Sequence, residues 1–96
     1  MTHDDALEKL AECRRAIDGI DARLVALLNE RTRVVETIGQ IKQEFSIPIY
    51  EPKREDAVYR NVIESNQGPL PHDAVRRIFE RVVDEMRTLQ KTRMQR

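Results

Sequence analysis

The sequence predicts an all-α fold of three helices per chain, the first of them very long. Between positions 5 and 45 the apolar residues recur at alternating steps of three and four, the seam of an amphipathic helix. The helix-breaking prolines and the loop glycine gather in only two places, Pro48 and Pro52, then Gly68, Pro69 and Pro71. Strand signals are missing throughout.

The first helix, about Asp5 to Phe45, has the seam Leu7, Leu10, Ile17, Ile20, Leu24, Leu27, Leu28, Val34, Val35, Ile38, Ile41 and Phe45. No proline interrupts it, and Ala, Leu, Glu, Arg and Gln, all good helix formers, dominate it. Thr2 to Asp5 offer N-caps, and acidic side chains there suit the positive end of the helix dipole. Gly19 and Gly39 each cost about 1 kcal/mol relative to Ala. At Gly39 the missing side chain admits either a ligand beside Arg31 and Lys42 or a close helix contact.

The segment Ser46 to Pro52 breaks the helix, because Pro48 pushes Ile47 toward extended geometry. Pro52 then suits the first position of a second helix, about Pro52 to Ser65, with Val58, Val62 and Ile63 facing inward. The run Asn66-Gln-Gly68-Pro69 stops that helix, with Gly68 expected in a left-handed conformation. A third helix, about Pro71 to Arg93, carries the seam Val75, Ile78, Phe79, Val82, Val83, Met86 and Leu89.

A rod of roughly 40 residues is about 60 Å long. A compact chain of this size has a radius of gyration of only about 12–13 Å. One copy cannot cover such a rod, so the expected assembly is an intertwined homodimer. The whole chain, residues 1–96, is expected to form one domain.

Composition excludes several classes of function. Seventeen basic and 17 acidic residues leave no net charge to draw the chain to nucleic acid or an anionic membrane. Two Phe, two Tyr and no Trp are too few for a base-stacking platform. Cys13 is the single cysteine, which excludes an intrachain disulfide and a cysteine-based zinc site, and it is expected in the core. No apolar run approaches the roughly 18 residues of a membrane span. The residues Met1 to Asp5 lack the basic-then-apolar order of a signal peptide, so a cytoplasmic location is expected.

The informative residues are charges on the inner stripe. Arg14 lies between Leu10 and Ile17, Arg31 between Leu28 and Val34, and Lys42 between Ile38 and Phe45. Arg31 and Lys42 are eleven residues apart and so differ by only about 20° in azimuth. In the third helix, Gln90 stands four residues after Met86 on the inner stripe. The start of the second helix adds Glu51, Arg54 and Glu55. Buried charges need partners. Interhelical salt bridges, for instance Arg31 to Glu55, would satisfy them structurally. Several cations converging with one amide and two carboxylates would instead suit a small, multiply anionic ligand gripped by forked guanidinium contacts. Arg14 and Lys42 are 28 residues, about 42 Å, apart along one helix. If both serve one small ligand, Arg14 comes from the partner protomer.

Five stretches in this order resemble the all-helical chorismate mutases. They are Arg14-Arg-Ala-Ile-Asp-Gly-Ile-Asp21, Leu27-Leu-Asn-Glu-Arg31, Ile38-Gly-Gln-Ile-Lys42, Tyr50-Glu-Pro-Lys-Arg-Glu55 and Asn66-Gln-Gly-Pro-Leu70. The resemblance covers Cys13 to Gln90 and implies an intertwined three-helix homodimer whose active sites use residues of both chains. It implies that Arg31, and Arg14 of the partner, clamp the carboxylates of chorismate. Lys42 and Gln90 match the catalytic pair that donates to the ether oxygen, and Glu55 the acceptor for the ring hydroxyl. Arg54 matches a supporting cation. Glu51 stands where an aspartate is common, and Met86 where many relatives place a serine that touches a carboxylate. The implied reaction is the intramolecular [3,3] rearrangement of chorismate to prephenate, in phenylalanine and tyrosine biosynthesis. It needs no nucleophile, metal or cofactor, only a held chair-like conformer and stabilised charge on the breaking C–O bond. Two alternatives stay open. An isochorismate–pyruvate lyase shares the scaffold but lacks the carboxylate matching Glu55, and a non-catalytic helical dimerisation or regulatory module would use the charges for salt bridges.

Overall fold

The structure, a computed structural model, describes residues 1–94. Three helices are formed, α1 (His3–Glu44), α2 (Pro52–Ser65) and α3 (His72–Met94), each bound within two residues of expectation. Two compact units divide the chain, Met1–Val34 and Val35–Arg96.

The first unit is the N-terminal run of α1. It opens with a reciprocal cap: Thr2 N donates to Asp5 Oδ2 at 3.0 Å, and Asp5 N donates to Thr2 Oγ1 at 3.1 Å. This is a capping box with aspartate in the usual glutamate position. The Thr2 backbone N–H, and then its hydroxyl, hold the Asp5 carboxyl below its ordinary pKa. Leu7, Leu10, Ile17, Ile20, Leu24 and Leu27 form the expected apolar stripe, and all are exposed, Leu27 by 60%. Cys13, expected in a core, is exposed as well. A single helical run has only its own neighbouring turns to pack on, so nothing within this unit can bury that face.

The second unit is built from the end of α1, then α2 and α3. α1 stops in a Schellman motif. Ile47 N donates to Lys42 O at 2.8 Å and Ser46 N to Gln43 O at 3.4 Å, with Ser46 in the left-handed region at φ 54°. A serine there lacks glycine's freedom, so the stop depends on these two bonds as well as on Pro48. α2 begins at Glu51 without a side-chain cap bond, and Pro52 occupies its first turn. Its end is fastened by Asn66. The Asn66 backbone N–H donates to Ile63 O, its Nδ2 donates to Leu70 O at 2.8 Å, and its Oδ1 accepts from Gly68 N at 3.1 Å. Gly68 has the expected positive φ, 76°, but it shapes the following turn while Asn66 makes the cap.

α2 packs on α3. Tyr59, Val75, Val83 and Met86 are buried between them, with Val58, Val62, Ile63, Phe79, Val82 and Leu89 half-buried around. Ile78, expected in the seam, is exposed. Tyr59 was not expected there. Arg76 lies over its ring at 4.6 Å, a cation–π contact. Burial, reinforced by the negative charges of Glu55, Glu80 and Asp84 and opposed by Arg76, raises the Tyr59 phenol above its ordinary pKa. α3 reaches the end of α1 through long polar side chains: Gln90 bonds Val35, and Arg93 pairs with Glu36.

Candidate active site

Lys42 occupies the last turn of α1 and is buried, only 7% exposed. Its ammonium pairs with Glu51 Oε1 at 2.5 Å and donates to Ile49 O at 3.0 Å. Glu51 thus spends its carboxylate on Lys42 rather than on capping α2. The pair compensates the cost of burying a cation. An ammonium has three N–H donors, so these two partners do not exhaust it.

Gln90 donates from Nε2 to the backbone oxygen of Val35 at 3.2 Å. The bond orients the amide with its NH2 toward α1, leaving the second N–H and Oε1 to face elsewhere. Val35 and Lys42 are seven residues apart on one helix, so they share a face about 10 Å apart along the axis. Gln90 itself lies against the turns of α1 that carry Glu36, Gly39, Gln40 and Gln43.

Glu55, half-buried in the first turn of α2, pairs within the second unit. Its Oε2 accepts from Arg87 Nη1 at 3.0 Å. Arg87 Nη2 in turn donates to Asp84 Oδ1 at 2.6 Å, and the Arg87 guanidinium lies 5.5 Å from the Tyr50 ring centroid. Arg87 is the residue that sequence reasoning missed. Its signal was available: it stands four residues after Val83 and three before Gln90, on the inner stripe of α3. The nearby arginine named instead, Arg54, is exposed.

Met86 is buried in the α2–α3 core, where a thioether offers no strong hydrogen bond. Arg14 and Arg31 belong to the first unit. Arg14 is exposed, whereas Arg31 is half-buried and engaged with its surroundings. A cavity of about 200 Å³ lies beside Gln90, lined also by Glu36, Gly39, Gln40, Gln43, Leu89 and Arg93. Gly39 is buried on its wall, consistent with a close approach at that position. Among the described residues no three His, Cys, Asp or Glu side chains gather as a metal site. Among them, too, no helix is long and apolar enough to cross a membrane. The arrangement offers oriented N–H donors and a fixed carboxylate, the equipment for stabilising charge.

The family model of chorismate mutase type II matches residues 13–91. The chain is 44% identical over 78 residues to a bifunctional chorismate mutase/prephenate dehydratase of Neisseria gonorrhoeae, covering 81% of this chain and 21% of that protein. The chain thus spans about a fifth of the length of that bifunctional relative. It is 31% identical to a chorismate mutase of Methanocaldococcus jannaschii, covering 88% of this chain and 87% of that protein. Among solved structures, form II of the Thermus thermophilus chorismate mutase superposes with a TM-score of 0.84 at 29% identity, covering 86% of this chain and 94% of that one. Helix order, the side chains on the inner stripes and these matches agree: the chain belongs to the chorismate mutase type II family.

Proposed function

We propose that this chain catalyses the rearrangement of chorismate to prephenate, in the cytoplasm, as a homodimer with two shared sites. The observation that carries the proposal is the pair Lys42 and Gln90. Each donates to a backbone carbonyl, Lys42 to Ile49 O and Gln90 to Val35 O, and neither bond exhausts the donors of its side chain. Two oriented donors at the ether oxygen would stabilise the negative charge that grows there as the C–O bond breaks. Glu55 would take the ring hydroxyl on its remaining oxygen. Arg31 and the partner's Arg14 are assigned to the substrate carboxylates on the family resemblance. Glu51 holds Lys42, and Arg54 and Met86 are assigned to the substrate pocket on the same resemblance. The exposed apolar stripe of the first unit supports the dimer, since a second copy would cover it.

Mixing the purified protein with chorismate should remove the chorismate absorbance and yield prephenate by NMR. Isochorismate supplied alone should persist. Pyruvate released from isochorismate would instead establish the lyase, and inertness toward both would leave the non-catalytic module.

Gln90 is a neutral amide, so kcat should not vary from pH 5 to 8 through this position. In Gln90→Glu a carboxylate would face the Val35 carbonyl and would need a proton to bond it. That variant should lose rate as pH rises, and a flat profile for it would remove Gln90 from the reacting centre.

A further inference from the structure

We propose that Arg87 is a positioning residue, holding the Glu55 carboxylate in the one orientation that the reaction uses. The inference rests on the role given to Glu55 above. Glu55 lies one turn into α2, and a glutamate there has several rotamers within reach of solvent. Arg87 removes that freedom from across the helix pair. Its Nη1 takes Glu55 Oε2 at 3.0 Å and leaves Oε1 open to accept from a hydroxyl. The guanidinium is itself held at three points. Asp84 Oδ1 takes Nη2 at 2.6 Å, the Tyr50 ring faces it at 5.5 Å, and Glu55 closes the third side. A planar, delocalised cation so restrained cannot swing away without breaking all three contacts. Side-chain exposures of 25% for Arg87 and 21% for Glu55 keep bulk water from fully screening the pair. Asp84, at 58%, braces the guanidinium from the solvent side.

An ion pair that merely docks α3 on α2 would support folding and leave turnover untouched. A double-mutant cycle separates the two roles. The measurements are kcat, KM and Tm for Arg87→Leu, Arg87→Lys, Glu55→Gln and the pair Glu55→Gln/Arg87→Leu. Arg87→Leu should lower kcat about 10-fold with a smaller change in KM, the scale expected for a misplaced reacting partner. Arg87→Lys should recover part of the loss. In the Glu55→Gln background the Arg87→Leu loss should shrink to about 2-fold or less, because its partner no longer acts. Equal losses in both backgrounds, or a lower Tm with kcat unchanged, would overturn the positioning role while leaving Glu55 in place. Wild-type turnover by Glu55→Gln would instead remove the assignment of Glu55 and the inference with it. Should Arg87→Leu fail to fold, Arg87→Lys carries the same cycle.

Discussion

Lys42→Ala and Gln90→Ala are each expected to lower kcat by about 10²–10³-fold, the scale for removing one donor to a developing oxyanion. The loss should fall mainly on kcat, because the interaction strengthens as charge grows on the ether oxygen. Lys42→Ala also strips Glu51 of its cation at 2.5 Å and leaves that carboxylate facing the site. Its effect should therefore be the larger of the two, since a negative group would then oppose a dianionic substrate. Gln90→Ala removes only a neutral amide and its bond to Val35. Stopped-flow or steady-state turnover of chorismate measures both, and near-normal kcat in either variant would sink the mechanism.

A 1:1 mixture of Arg14→Ala and Lys42→Ala, each nearly inactive alone, should regain about one quarter of the wild-type rate after subunit exchange. Losing a forked guanidinium–carboxylate contact is expected to cost Arg14→Ala about 10²–10³-fold in kcat/KM. The recovery follows from symmetry. In a mixed dimer one site receives intact Arg14 from one chain and intact Lys42 from the other, while the second site carries both defects. About half of the dimers are mixed, and half of their sites work. The proposal that Arg14 serves the partner's site rests on the 28 residues of helix-forming sequence between it and Lys42. Activity that stays at the level of the separate variants would place each site within one chain.

Much of this molecule was legible in its residues. The three-four spacing marked every helix, and Pro48, Pro52 and Pro71 marked where α1 stops and where α2 and α3 start. Lys42 and Gln90 were visible as polar side chains on apolar stripes, and the fold buries the first and ties the second to α1. Tyr59 and Ile78 show the weakness of the same approach. An aromatic outside the expected stripe is buried and an isoleucine within it is exposed, because the width of a buried face depends on which neighbour covers it.

The sequence by itself determined the helix count, the helix ends and the faces on which charges sit, because backbone periodicity fixes the azimuth of every side chain. Only the tertiary structure decided which charge meets which: Glu51 on Lys42, Arg87 on Glu55, and Arg54 left in solvent. Long charged side chains have many rotamers and reach several candidates. Their pairing is therefore settled by separations of a few ångströms between helices, a quantity that spacing along one chain does not carry.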